Sequence, residues 1–400
     1  MKLKPSCLKG MENMYGISKI EKFIDEKDTL SIEDTSGRVK IDKSSSNINI
    51  NEFVSGIPIA FKGKLNDKGG FMINDYLYYQ PPNLSNKKIS ETPMDIETSN
   101  TNQNQNLILF ISNLKLGAPQ EEENGLSPTA RAMLVDFIQN NNNLNKKLVD
   151  ISKRIKRVVF VGDSVYVNEK IEELEKGSFI KAKEYKDEFS KILLNYTLFD
   201  KYLKNISNYT HIDLMNSIEG NDGVYFPQNP NGQFLFLENM TSINAKTLNL
   251  VPNPFFFDIY SNKTKTKKNF LGTSGENINS IMQYTDINEP LLAMEKTIQW
   301  GHLAPLAPDT VRIYPYSQVD PLLLDKYPDV YFISGKNDLN KKEIEIEIKT
   351  NEKNTTKKTI LLVELPDFSL TFKGILFNVD DNSINEINFS QKLSFDKNYK

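Results

Sequence analysis

The chain is poor in the residues that most often carry covalent and metal chemistry. Cys7 is the single cysteine among 400 residues. One thiol cannot form an intrachain disulfide or supply a cysteine-rich zinc or iron–sulfur site, and a reducing compartment is the expectation that follows. Histidine is almost as scarce, with only His211 and His302 present. Imidazole is the commonest ligand of catalytic transition metals, and a two-metal phosphoesterase draws on several. There is no excess of positive charge either: 49 Lys and Arg stand against 52 Asp and Glu, for a formal charge of −3. Bulk charge therefore cannot hold nucleic acid, although local basic patches stay open. Long hydrophobic runs are also missing. The first residues, Met1-Lys2-Leu3-Lys4-Pro5-Ser6, carry no apolar signal core, and no run approaches the roughly 20 apolar residues of a membrane helix, so no membrane is expected as a partner.

What is present is a globular composition, 38% hydrophobic and 25% charged, with length for two or three domains. Residues 1–50 are polar, with a helix-like stretch at Ile17–Phe23. Two β-rich runs, 56–65 and 71–79, flank a Gly69-Gly70 turn and predict a hairpin of a small OB-type barrel. The aromatics Phe71, Tyr76, Tyr78 and Tyr79 could stack bases. No basic residues interleave them as a single-strand groove requires, so filling the core is the commoner role. Residues 81–106 are rich in Pro, Ser, Thr and Asn and are expected to be a linker between a domain at 1–80 and a second at 107–400.

From residue 107 strands alternate with helices, which predicts an α/β domain with a mixed sheet. Leu107–Ser112 is a short apolar run that stops at polar residues and a glycine, the pattern of a buried strand delivering side chains from its C-terminal end. A helix is expected over Ser127–Gln139, with Ser127 as N-cap and Pro128 at N1. Arg157–Asp163, ending in Gly-Asp, and His211–Asn216 follow as strands. Between them Phe189, Ile192, Leu193, Tyr196, Phe199, Tyr202, Leu203 and Ile206 recur at helical spacing. Lys263 to Lys268 form a basic turn between two strands, either a phosphate-backbone contact or, more commonly, a solvated hairpin tip. Strands at Tyr331–Gly335, Glu343–Ile348 and Ile360–Leu365 complete the pattern, with 349–358 expected as an exposed loop. Apolar loop residues such as Phe255-Phe256-Phe257 and Leu322-Leu323-Leu324 are candidates for partner surface, with core as the safer default.

Three strand ends stand out: Ser112-Asn113-Leu114-Lys115, Gly162-Asp163-Ser164-Val165-Tyr166 and Ser334-Gly335-Lys336-Asn337-Asp338. Their order resembles the calcineurin-like metallophosphoesterases, which place Asp-x-His, Gly-Asp-x-x-Asp, Gly-Asn-His and Gly-His-x-His at successive strand ends. The ligands differ. Asn113 and Lys115 stand in place of Asp and His, Tyr166 in place of the second carboxylate, and Lys336 and Asp338 in place of two His, while Asn216–Asn221 has no His. A neutral amide is a poor anionic ligand, and an ammonium about 4 Å from a cation costs on the order of 4 kcal/mol per unit charge at an effective dielectric of 20. No dinuclear metal and no cofactor are expected, and a lysine in the vacated pocket is expected to pair with Asp163. His211 and His302 read as hydrogen-bonded structural residues. Gly272-Thr273-Ser274-Gly275 lacks the Lys and spacing of a P-loop, and Thr273 or Ser274 is expected to cap a helix.

The second half is more specific. Phe270–Ile278, with Gly272, Thr273, Ser274, Gly275 and Asn277, is similar to a segment of the B-family small subunits of eukaryotic DNA polymerase delta. So are His302–Thr310 with Pro308 and Asp309, Tyr314-Pro315-Tyr316 with Asp320-Pro321, and Leu362–Ser369 with Pro366 and Asp367. The resemblance covers most of residues 30–378. It implies an OB domain joined to an inactivated phosphoesterase-like domain, that is, a mixed β-sandwich with flanking helices plus a small all-β barrel. It further implies a nuclear, non-catalytic scaffold bound to the Cys-rich C-terminal module of a polymerase catalytic subunit and to a third, clamp-binding subunit, with DNA contact indirect or weak. Compared with that family the sequence starts late, so the barrel is expected to lack a strand or the chain to begin at an internal methionine. Two other functions remain in view: a phosphodiesterase or nuclease gathering one metal on Asp163, Asp338 and Glu219, and an OB-type single-strand binder.

Overall fold

The N-terminal strands pair far along the sequence. In a computed structural model, residues 14–22, 30–34, 36–42, 53–82, 106–118, 126–140, 146–167, 182–217, 225–240, 247–314, 319–351, 354–390 and 394–395 are described. Strands β1 (Met14–Lys22), β2 (Leu30–Asp34), β3 (Gly37–Lys40), β4 (Ile59–Leu65) and β5 (Phe71–Tyr78) form a 5-stranded sheet of order β3-β2-β1-β4-β5. A parallel bridge from Ile41 to Phe71 joins its two ends, with the Asp42 amide donating to the Phe71 carbonyl at 2.9 Å. Five strands and the bridge between the sheet's ends give an arrangement of OB type. The helix-like Ile17–Phe23 is corrected: Met14–Lys22 is a strand, hydrogen-bonded on one side to β2 and on the other to β4. Pairing on both edges outweighs a weak local periodicity. Inward-facing Ile59, Phe61, Phe71 and Ile73 alternate along β4 and β5 as a pleated strand demands. The register shifts at Lys62/Gly63, where a side chain on Gly63 would strike the Met72 carbonyl, so this bulge requires glycine.

The remaining elements, in chain order, are β6 (Leu107–Ser112), α1 (Leu126–Gln139), α2 (Lys146–Ser152), β7 (Ile155–Val161), α3 (Ala182–Ser207), β8 (His211–Met215), α4 (Leu237–Met240), β9 (Leu248–Val251), β10 (Phe255–Tyr260), β11 (Lys267–Thr273), α5 (Glu276–Gln283), α6 (Pro290–Trp300), β12 (Val330–Ser334), β13 (Asn340–Asn351), β14 (Asn354–Leu365), α7 (Phe368–Thr371), β15 (Lys373–Asn378), β16 (Ile384–Asn388) and β17 (Ser394–Phe395). The chain divides into two compact units. One holds 1–90, 276–327 and 342–362; the other holds 91–275, 328–341 and 363–400.

In the second unit a 7-stranded sheet runs β17-β16-β15-β6-β7-β8-β9, parallel from β6 to β9 and antiparallel at β15. This is the mixed sheet expected. All of β6 is buried. Leu107, Leu109 and Ile111 pack into a core with Leu134 and Phe137 of α1, Ile151 of α2, and Phe199 and Leu203 of α3. On the opposite face Phe110 meets Phe332 of β12 at 4.8 Å and Phe377 meets Phe270 of β11 at 5.5 Å between ring centroids. Here the antiparallel hairpin β10–β11 and the parallel strand β12 begin a second sheet. Aromatic contacts between two sheets make a sandwich core, each buried Phe stabilising by about 1.5–3 kcal/mol. On α3 the buried stripe is Ile192, Tyr196, Phe199, Leu203 and Ile206, while Phe189 and Leu193 are exposed.

Two loop expectations change. Phe255–Phe257 belong to β10 and alternate, Phe255 buried and Phe256 exposed. The loop expected at 349–358 is mostly strand, since β13 reaches Asn351 and β14 starts at Asn354. Strict Ile/Glu alternation in β13 carries the pairing outward. In the first unit, α6 ends at Gly301, left-handed at φ 67, where Tyr79 leaves no room for a side chain. The Tyr79 hydroxyl donates to the Leu324 carbonyl at 3.3 Å.

Candidate functional site

The C-terminal ends of β6, β7 and β12 converge on one side chain, Asn113. The chain turns sharply after β6, with Asn113 at φ 51 and Lys115 at φ 47. Asparagine tolerates this left-handed backbone better than most residues. Asn113 Oδ1 accepts the Asp163 amide at 3.0 Å, and its Nδ2 donates to the Gly335 carbonyl at 3.1 Å and to Asp367 Oδ2 at 3.3 Å. One buried amide thus ties together the loops after β6, β7, β12 and β14. A carboxylate could accept the first bond but could not donate the other two. Gly162, at φ 76, lets the two loops meet: a side chain there would collide with Asn113 Oδ1 and Ser334 Oγ. Backbone bonds reinforce the junction, from the Lys115 amide to the Asp163 carbonyl at 2.9 Å and from the Tyr166 amide to the Leu116 carbonyl at 3.0 Å.

Lys115 reaches Asp367, its Nζ 3.7 Å from Oδ2. The sequence suggested Asp163 as the partner of a lysine here; the ion pair formed is to Asp367. That carboxyl is 3% exposed. Burial pushes its pKa up, opposed by hydrogen bonds from Ser369 and by Lys115 and Asn113. Asp367 also caps α7, accepting from the Ser369 amide at 2.9 Å and hydroxyl at 2.6 Å.

Asp163 is held from the other side by the Ser217 hydroxyl. From Ser217 a chain of buried polar groups runs on. Gln228 Nε2 donates to the Ser217 carbonyl at 2.7 Å, Asn253 Nδ2 donates to Gln228 Oε1 at 3.3 Å, and the Asn253 amide also bonds the Ser274 hydroxyl. Asn216 and Asn231 exchange reciprocal amide bonds beside it. The space left, lined by Asp163, Ser164, Asn216, Ser217 and Asn231 among others, is about 10 Å³, the scale of one water molecule. Its donors are amides, hydroxyls and a single carboxylate. Among the described residues no three His, Cys, Asp or Glu gather around a point. This donor set does not fit the two-metal centre implied by the phosphoesterase resemblance, whose ions need several anionic oxygens and imidazoles.

Of the six strand-end positions the sequence singled out, the structure joins Asn113, Lys115 and Asp163. Tyr166 is half-buried and takes part through its backbone. Lys336 and Asp338 are exposed, and Asp338 accepts from Lys373 at 2.8 Å, which also pairs with Glu386 at 3.1 Å. Glu219 lies outside the described residues. Ser217 and Asn253 were missed although they follow strands, the signal that found Asn113. Gln228 and Asn231 sit in irregular chain and gave no signal.

Most residues of the longer motifs are buried. Thr273 and Asn277 are fully buried, and Asn277 Nδ2 donates to the Leu303 carbonyl at 2.8 Å. Gly275 takes φ 97. His302 accepts the Ala304 amide on Nδ1 at 3.1 Å and so holds its proton on Nε2, 3.1 Å from Asp320 Oδ2. Both nitrogens are committed to a turn, as expected of a structural histidine. Burial and the nearby Arg157 lower the pKa of His211. Pro308 and Asp309 are exposed, whereas Pro366 is buried next to Asp367. In the barrel, Phe53 and Phe71 are buried, and the half-buried Tyr76 and Tyr78 pack on Phe53 at 5.4 and 6.1 Å.

A barrel of OB type and an α/β sandwich whose strand-end site is wired by amides have counterparts among known proteins. Residues 108–340 match the family described as the B subunit of DNA polymerases alpha and epsilon, and residues 1–76 match the DNA polymerase delta subunit OB-fold domain. The chain belongs to this family of replicative polymerase B subunits. It is 27% identical over 400 residues to the DNA polymerase delta small subunit of Oryza sativa, covering 99% of this chain and 82% of the rice protein. The corresponding Arabidopsis thaliana protein is 27% identical over 98% of this chain and 80% of its own length, and that of Saccharomyces cerevisiae 28% over 95% and 75%. Within the family the chain is of the delta small-subunit type, an accessory subunit of the polymerase delta complex in DNA replication. No described helix is long and apolar enough to cross a membrane.

Proposed function

We propose that this chain is the non-catalytic scaffold of a nuclear polymerase delta complex. It bridges the Cys-rich C-terminal module of the catalytic subunit and a third, clamp-binding subunit, with DNA contact indirect or weak. The proposed layout is an OB-type barrel at 1–80, a linker at 81–106 and a phosphoesterase-like domain at 107–400 that no longer hydrolyses phosphate esters. Asn113, Lys115, Asp163, Tyr166, Lys336 and Asp338 are then vestigial positions. The family motifs, with Gly272, Thr273, Ser274, Gly275, Asn277, His302, Pro308, Asp309, Pro366 and Asp367, serve structure or partner surface.

The observation that carries this proposal is the Asn113 amide, which makes two donor bonds where a metal site needs an anionic oxygen. Asp163 is meanwhile engaged by the Ser217 hydroxyl. With the cross-links in place, the loops are fixed without a metal. Co-expression with a polymerase delta catalytic subunit tests the scaffold: a complex that co-elutes stoichiometrically supports it, and two folded proteins that elute apart overturn it. Hydrolysis of a nitrophenyl phosphodiester with manganese or zinc tests the inactive site. Turnover that disappears in Asp163→Ala would overturn the claim, and none above background supports it.

A further inference from the structure

The basic turn between β10 and β11 is built more rigidly than a solvated hairpin tip needs. The Ser261 amide donates to the Thr266 carbonyl at 2.9 Å and the Lys265 amide to the Ser261 carbonyl at 3.0 Å, closing the turn across its base. Thr264 and Thr266 share a hydroxyl bond at 2.8 Å. Asp380 anchors the turn from the neighbouring loop. Its Oδ1 accepts the Ser261 hydroxyl at 2.9 Å and the Lys263 amide at 3.1 Å. Lys265 sits at φ 57, a left-handed backbone in which glycine or asparagine would be less strained.

The side chains of Lys263 and Lys265 take no part in this construction. Lys263 and Lys265 enter through their backbone amides, both are exposed, and neither has an ion pair among the described residues. Lys268 is different. It lies at the base, where burial lowers its pKa, Asp329, Asp380 and Asp381 oppose that shift, and Lys263 adds to it. The acids of this region thus meet Lys268 and the backbone of the turn, and the Lys263 and Lys265 ammonium groups are left without an ion pair among the described residues. Folding gains nothing from two like charges held together on a strained turn.

We propose that the tip of the β10–β11 turn, through Lys263 and Lys265, contacts the phosphate backbone of duplex DNA in the assembled polymerase. A chain of net charge −3 has no bulk attraction for DNA, so a pair of ammonium groups carried on a braced turn is one means open to it. Such contacts carry no sequence preference and add a small, salt-sensitive increment. The proposal rests on membership of a DNA-replicating complex and specifies the weak contact left general above.

The test uses the full complex with Lys263→Ser/Lys265→Ser and a primer–template duplex titrated from low to moderate salt. Removing one lysine–phosphate contact makes the slope of log K against log salt shallower by about 1, so a decrease of about 2 is expected. A control variant, Lys146→Ser/Lys153→Ser, removes the same charge from an exposed region elsewhere and is expected to leave the slope unchanged. An unaltered slope in the turn variant, or an equal change in the control, overturns the proposal. If the turn variant instead fails to co-elute with its partners while binding DNA normally when mixed, the turn docks an acidic protein surface and the proposal is also overturned. Co-elution of the wild-type subunits is recorded separately, so failure of the scaffold proposal stays distinguishable.

Discussion

Replacing Asn113 by aspartate would restore the residue type a metallophosphoesterase uses, and the structure says it would damage the fold. Asn113 Nδ2 donates to two buried acceptors, the Gly335 carbonyl at 3.1 Å and Asp367 Oδ2 at 3.3 Å. An ionised aspartate replaces both bonds with repulsion. At 3.3 Å and an effective dielectric of 20 the two carboxylates alone would cost on the order of 5 kcal/mol. Proton uptake limits this. Protonating a group of ordinary pKa about 3.9 at about pH 7 costs roughly 4 kcal/mol, and the neutral acid recovers one donor, leaving about 1 kcal/mol for the other. Lys115, 3.7 Å from Asp367, offsets a part. Asn113→Asp is therefore expected to lose about 3–5 kcal/mol near neutral pH, with the loss shrinking by roughly 1.4 kcal/mol per pH unit on acidification. Urea unfolding of variant and wild type between about pH 4 and pH 7 measures the gap, with Asn113→Ser as a control that removes the amide without adding a second carboxylate. A variant within about 1 kcal/mol of wild type at neutral pH, or a gap that widens on acidification, would refute the role given to this amide.

Three further outcomes follow from the same geometry. Gly162→Ala forces a left-handed side-chain residue, at roughly 1–2 kcal/mol, and a collision with Asn113; a loss above about 2 kcal/mol is expected in urea, and a neutral substitution would contradict the close approach. Phe332→Ala empties the centre of the sandwich and should cost about 3–5 kcal/mol, read as a fall in Tm of the purified chain; a fall of only a degree or two would mean the sheets repack. Asp367 has a raised pKa, so between its ordinary 3.8 and its folded value the native state keeps a proton the unfolded chain has lost. Stability from this group falls as pH rises through that window. Asp367→Asn removes the effect and should gain on wild type from acid towards neutral pH; a constant difference in urea midpoints would exclude it.

Much of this was legible in the sequence. β6 announced itself because a fully buried parallel strand is a short apolar run ending at polar residues, and Asn113, Lys115 and Asp163 were found by standing directly after such runs. β1 was misread because strands paired on both edges need no strong local pattern. The site's other half was hidden for a different reason. Gln228 and Asn231 act through side-chain amides in irregular chain, and nothing in local spacing shows that Gln228 will reach Ser217 or Asn231 will meet Asn216. Lys336 and Asp338 occupy motif positions, yet both are exposed, because a motif fixes order along the chain and not the direction a side chain takes.

The discontinuous first unit has a consequence for synthesis. Its barrel strands lie within the first 78 residues, but the unit also draws on 276–327 and 342–362. A ribosome making this chain releases the barrel early and the segments that complete its unit late, after the whole β6–β11 region has emerged. Long-range pairings of this kind fold slowly. For much of translation the nascent barrel therefore waits without the segments that pack at Gly56 and Tyr79, the interval in which a chaperone or a premature partner could bind it.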